Sequence, residues 1–310
     1  MIAAPGAPAI LGVAHEPPCF EVPRGACDCH THVFGPPARY PYRADRSYTP
    51  GVASVEQLLA LQRTLGLDRV VIVQPSPYGS DNRCTLDALQ SLGERARGVV
   101  VIDDDTPADA LVRMHAAGVR GVRINLETDG VDDPAAARRR FARASERVAP
   151  LGWHLQVYTR LPMLATLAPV IREHGNAVVL DHFGRAGADG HGRPPHLDVL
   201  LDLLADGRVW VKLSAPQRIS ATPDDEATTA LARTLVRARP DRMLWGSDWP
   251  HPGAHAGRPR DPSGIEPFHA IDDGHALNRL PRWTESGDTL RAILVDNPAR
   301  LYDFAHGENT

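Results

Sequence analysis

His30 and His32 stand one residue apart in the run Ala26-Cys-Asp-Cys-His-Thr-His32, and a carboxylate, Asp248, closes a second short apolar run far downstream. In an extended chain alternate side chains share a face, so both imidazoles should point one way, with Asp28 beside them. Cys27, Cys29 and Thr31 should then point the other way. Neutral imidazoles with a carboxylate can hold one divalent metal, zinc being the best match, with a position open for water. Without metal, the same carboxylate can serve as general base while the imidazoles donate to a developing oxyanion. Both routes turn water on an acyl carbon. A His-x-His pair alone decides nothing, so the elements that place it carry the argument.

Apolar runs of strand length recur with helical patterns between them, the alternation of a parallel sheet built from βα units. Strands are expected over Ala26–His32, Arg69–Gln74, Gly98–Asp103, Val119–Asn125, Trp153–Thr159, Ala177–Phe183, Val209–Ser214 and Met243–Asp248. Eight is the number that closes a (β/α)8 TIM barrel, here as a single domain over residues 24–305. Ser54 with Gln57 reads as a capping box, Thr106-Pro107 and Asp133-Pro134 as helix starts, and Gly118 as a helix stop. Amphipathic segments run over Val55–Leu65, Ala108–Ala117, Ala135–Val148 and Leu161–His174. Two long loops break the alternation: Thr31–Val52 after the first strand and Pro250–Trp283 after the eighth, the latter too rich in Gly, Pro and His for a core helix. Strand ends of a barrel meet at one mouth. They supply His30, His32, Arg123, Asn125, Tyr158, His182, Lys212, Ser214 and Asp248, and Arg185 and Arg218 follow shortly after strands six and seven.

Among 310 residues, 43% are hydrophobic and the net charge is −4 with both signs scattered, which leaves no basic face for nucleic acid and no polybasic membrane anchor. No apolar stretch approaches the ~20 residues of a membrane span. Residues 1–23 read as a flexible arm without a basic leader, 306–310 as a short tail, and the whole as a cytoplasmic monomer or homo-oligomer with a small-molecule partner. The four cysteines form no disulfide framework and are expected as free thiols. Lys212 is the only lysine; every other basic residue, histidine aside, is arginine.

Several segments then fall into one pattern: Asp28-Cys-His-Thr-His-Val-Phe-Gly35, Arg46-Ser-Tyr-Thr-Pro50, Gly118-Val-Arg-Gly-Val-Arg-Ile-Asn125, Asp181-His-Phe-Gly-Arg185, Leu244-Trp-Gly-Ser-Asp-Trp-Pro-His-Pro252 and Asn297-Pro-Ala-Arg-Leu-Tyr302. Together they resemble the amidohydrolase superfamily, and within it the branch of the 2-pyrone-4,6-dicarboxylate lactonases, from about residue 24 to 304. The resemblance implies hydrolysis of a carboxylated lactone, the pyrone dicarboxylate or a related muconolactone, by water that Asp248 activates. It implies that His30, His32 and His182 polarise the carbonyl, directly or through one metal ion held with Asp248. Tyr48, Ser76, Arg123, Tyr158, Arg185 and Arg218 would orient the substrate. No metal and one zinc are both compatible with the branch, but Arg123 and Tyr158 stand where a second metal's ligands would be. A metal-dependent decarboxylase and a sugar-lactone hydrolase or isomerase are the rival readings. The prolines of Gln74-Pro-Ser-Pro-Tyr78 and the loop after strand eight leave room for a lactone other than the pyrone.

Overall fold

The computed structural model describes residues 9–188, 194–255 and 259–305; the expected C-terminal tail and the first eight residues of the arm lie outside them. Eight parallel strands follow one another in chain order: β1 (Cys27–Thr31), β2 (Arg69–Val73), β3 (Ala96–Val100), β4 (Val119–Asn125), β5 (His154–Tyr158), β6 (Val178–Leu180), β7 (Val209–Ser214) and β8 (Met243–Gly246). Their buried Val, Ile and Leu runs suit strands covered on both faces. The ring closes between β8 and β1, where Asp248 N–H donates to His30 O and His32 N–H to Trp249 O, both at 2.8 Å. This is the expected (β/α)8 barrel.

Helices α1 (Val55–Leu65), α2 (Arg83–Leu92), α3 (Ala108–Ala116), α4 (Pro134–Val148), α5 (Leu161–Glu173), α6 (Leu197–Ala205) and α7 (Glu226–Ala238) connect the strands. Ser54 and Gln57 form the capping box of α1, and Asp133 accepts from the Ala135 and Ala136 N–H groups of α4. Thr106 does not cap α3; its hydroxyl accepts from the Asp103 N–H, and the helix begins after Pro107. Gly118 stops the chain at a φ of 98° that suits glycine.

Four expectations fail. The sixth strand ends at Leu180 rather than Phe183, because His182 and Phe183 turn into the left-handed region, and the eighth ends before Asp248 for the same cause. The third begins earlier, at Ala96, and stops at Val100. Most consequential, the register of β1 against β2 shifts between Asp28 and Thr31. Such a bulge resets the alternation. Cys27 and Cys29 therefore pack with Val71, Val73, Val99, Val179 and Leu244 above Tyr302. Asp28 does not join the histidines but accepts from the Ser247 and His30 N–H groups.

The two long loops are zipped together: the strand pair Thr49–Pro50 and Ile265–Glu266 joins them beside the mouth. The second loop is also shorter than expected, since α8 (Asp273–Asn278) and α9 (Leu280–Thr284) fill its end, with Asp272 capping α8. Part of the N-terminal arm lies on this region, Glu16 N–H bonding Asp272 Oδ1 at 3.0 Å and Cys19 N–H bonding Asn278 Oδ1 at 2.7 Å. Gly274 is required there, because a Cβ would stand 1.8 Å from Glu16 O. Among the described residues no helix is long and apolar enough to cross a membrane.

Candidate active site

The closing hydrogen bonds between β8 and β1 are what bring Asp248 to the histidines. Asp248 Oδ1 lies 3.6 Å from His30 Nε2, 3.6 Å from His32 Nε2 and 3.8 Å from His182 Nε2, so three imidazoles from the first and sixth strand ends surround one carboxylate oxygen. Its other oxygen is committed. Oδ2 accepts from Arg218 Nε at 2.9 Å and Nη2 at 2.6 Å. The four groups are buried.

Burial alone would push the Asp248 carboxyl up, but the Arg218 guanidinium and then the imidazoles outweigh it and hold it well below the usual carboxylate range. The imidazoles shift the same way for the opposite reason of charge: burial disfavours the cation, lowering His32, lowering His182 well below its ordinary value, and taking His30 to about 3 with help from Lys212. Neutral rings carry one proton each, so tautomers matter. His32 Nδ1 faces the Val73 carbonyl at 2.7 Å and must carry its proton there, which leaves Nε2 as a lone pair. His182 Nδ1 meets the Ser214 hydroxyl at 2.9 Å.

Backbone conformation concentrates here too. Asp248, His182, Arg185, Ala215 and His251 all have φ between 47° and 72°, a region that costs non-glycine residues roughly 1–3 kcal/mol each. The long loops and the tight turns at the strand ends hold them.

Above the cluster opens a cavity of about 670 Å³. His32, His182 and Asp248 line it, as do Tyr48, Ser76, Arg123, Tyr158, Arg185 and Arg218. The residues that the resemblance gave a role thus meet at one place, with His30 just beneath, whereas Lys212 and Ser214 lie below the cavity and Asp28 stands apart. A larger and separate cavity, about 1220 Å³, adjoins through Ser47, Ser76, Arg123, Asn125 and Thr128 but touches none of the three histidines nor Asp248. His32, His182 and Asp248 open onto the smaller one.

The sequence pattern of the amidohydrolase family matches residues 27–304. The chain belongs to that family. It is 36% identical to a 2-pyrone-4,6-dicarboxylate hydrolase of Comamonas testosteroni, over 92% of each chain, and 35% identical to a 4-sulfomuconolactone hydrolase of Hydrogenophaga intermedia, over 95% of each. A solved structure from Pseudomonas putida, of a protein assigned as a 2-pyrone-4,6-dicarboxylic acid hydrolase, superposes with a TM-score of 0.76 at 31% identity, covering 92% of this chain and all of that one.

As an amidohydrolase the chain offers donors that fit a single divalent cation. Ligand atoms of His30, His182 and Asp248 lie within 4.8 Å of one another, and His30 Nε2 and Asp248 Oδ1 are buried without a hydrogen-bond partner. The ends of β4 and β5 contribute Arg123, Asn125 and Tyr158, which suit anions rather than a second cation.

Sequence reasoning missed Arg260. It lines the cavity from the loop after β8, stacks 4.3 Å over the Tyr48 ring and pairs with Glu266 at 2.9 Å. A loop arginine among so many carries no periodic signal. Asp181, just past β6, and Gln156 on β5 lie beneath the cluster beside Lys212, which the sequence did single out; the spacing of two from inward-facing neighbours could have found both.

Proposed function

We propose that the protein hydrolyses a lactone carrying carboxylate groups, with 2-pyrone-4,6-dicarboxylate or a related muconolactone as the substrate. The observation that carries this reading is one cavity with Asp248 and three imidazoles at its floor and Arg123, Arg185, Arg218 and Arg260 in its walls. Guanidinium forks pair with carboxylates through two parallel hydrogen bonds, and Arg123 and Arg185, unlike Arg218 and Arg260, are not engaged by Asp248 or Glu266, which favours an anionic substrate. The lactone hydrolases among the relatives support the choice of a cyclic ester.

In this reading Arg218 fixes Asp248 through Oδ2, so Oδ1 is the base. It takes a proton from water as the water oxygen bonds to the lactone carbonyl carbon. His30 and His182 face the carbonyl oxygen as it gains charge, while His32, with its proton on Nδ1, has no donor to turn toward it. When the ring C–O bond breaks, the proton held by Asp248 passes to the departing oxygen, giving an acid and a hydroxyl or enol. Tyr48, Ser76, Arg123, Tyr158 and Arg185 hold the substrate so that its carbonyl meets the floor. His30, His32, His182 and Asp248 would hold a divalent cation, which when bound supplies Lewis-acid polarisation of the carbonyl and a lower pKa for water.

The test is incubation of the full chain, with and without chelator, with pyrone dicarboxylate, muconolactones and uncharged aldonolactones. Ring opening of a carboxylated lactone with little of the uncharged ones is expected, since a neutral analogue leaves buried guanidiniums unpaired. Release of carbon dioxide without ring opening would assign the site to a decarboxylase instead.

A further inference from the structure

The larger cavity, about 1220 Å³, takes no part in the reaction above, yet Ser47, Ser76, Arg123, Asn125 and Thr128 line it and the reactive cavity alike. The two therefore meet beyond the ends of β2 and β4. At about 670 Å³ the reactive cavity alone falls within the roughly 300–1,000 Å³ that holds a drug-sized ligand, so a compact single-ring lactone has no need of the space next door. Arg123 stands at the boundary, 7% exposed, with Nη1 donating to Gln74 O at 3.2 Å and Nε buried without a hydrogen-bond partner. Guanidinium donors left short of partners at such a place suit an anion that passes between the cavities.

The walls beyond Arg123 hold two kinds of arginine. Arg140 is matched by Asp129 at 2.7 Å and Arg143 by Asp104 at 2.6 Å, so those charges are cancelled. Arg46 and Arg147 form no ion pair among the described residues. Arg46 donates to Thr49 Oγ1 and to the Arg43 and Pro262 carbonyls, Arg147 donates to the Asp104 and Thr106 carbonyls, and Arg147 Nε is buried without a partner. Tyr42 and Tyr78, their rings 5.0 Å apart, add an aromatic wall. We infer that the larger cavity is a second anion subsite for the substrate: with the lactone ring over His182 and Asp248, an arm on that ring passes Arg123 and sets a carboxylate in the field of Arg46 and Arg147. Beyond compact dicarboxylates, the substrates then include lactones whose second carboxylate stands on an extended arm. The inference deepens the lactonase reading and rests on it for the ring; the subsite itself is read by binding, without turnover.

The experiment titrates the full chain, by calorimetry, with two dicarboxylates that cannot be hydrolysed: isophthalate, the size of a single ring, and biphenyl-3,4′-dicarboxylate, whose second carboxylate stands one ring farther out. Thr128→Trp fills the boundary between the cavities, and Arg147→Met removes a charge from the far wall. Each variant is expected to bind the biphenyl probe about tenfold or more weaker than the wild type, as loss of one charge-assisted pair does, and isophthalate within about twofold. A wild type that does not bind the biphenyl probe overturns the inference. So does a folded variant of either kind that binds it unchanged, or that loses both probes equally. Two equivalents of isophthalate per wild-type chain would put a separate anion in the larger cavity and overturn the spanning arm. Should one variant not fold, the other decides. Failure to open any lactone would sink the proposed function and leave these affinities as they are.

Discussion

At the scale of single residues, the site works by giving each polar atom one task. Asp248 spends Oδ2 on Arg218 and leaves Oδ1 without a hydrogen-bond partner, and His32 spends Nδ1 on a backbone carbonyl and keeps Nε2 as a lone pair. Below them His154 shows what happens to an imidazole with no task. Both its ring nitrogens are buried without a partner, and burial lowers it to about 3. It packs beside Gly121, where any Cβ would stand 2.3 Å from its ring, and edge-on to Tyr302. An unfolded histidine binds a proton below about pH 6.5, while this one stays neutral until about pH 3, so the unfolded chain holds more protons throughout that window. Stability must fall as pH falls through it. From pH 7 to pH 5 the loss from His154 is about 2 kcal/mol, at 1.4 kcal/mol per unit. Urea denaturation at the two pH values should show His154→Leu losing less than the wild type by about that amount; equal losses would remove His154 as the cause.

At the scale of elements, the meeting of β1 and β8 decides whether there is a site at all. Gly246 allows it: a Cβ there would lie 2.7 Å from His30 Cβ and 2.8 Å from the His30 nitrogen, closer than real Cβ contacts come. Gly246→Ala should push the strands apart, costing about 1–3 kcal/mol of stability as overpacking does, and should lower turnover because Asp248 leaves the imidazoles. Thermal or urea unfolding together with kcat checks it; a variant of native stability and full activity would show that the close approach is not needed. This is also where the sequence was read well and badly. The apolar runs exposed all eight strands, and the capping signals of Ser54 and Asp133 placed two helices. The bulge in β1 was illegible, because it follows from pairing with β2 and not from any residue of Cys27–Thr31. Strict alternation therefore put Asp28 on the wrong face. The left-handed turns at His182 and Asp248 were hidden for a like reason: neither residue is a glycine, so nothing local marked the end of those strands.

At the scale of the whole molecule, the barrel gathers polar residues from distant parts of the chain, and the long loops decide what reaches them. The loop pair joined at Thr49–Pro50 and Ile265–Glu266 carries Tyr48 and Arg260 into the same wall. Arg123, Arg185 and Arg218 were legible because each stands on or just beyond a strand end. Arg260 was not, because only the folded loop brings it to the mouth. The account as a whole turns on Asp248 as the base for water. Its most direct test compares kcat and substrate Kd of the wild type with those of Asp248→Asn on the carboxylated lactone that the wild type opens best. Turnover should fall by about 10²–10⁴, the usual contribution of a general base, while the lactone still binds. Unchanged turnover in a folded Asp248→Asn protein would contradict the account.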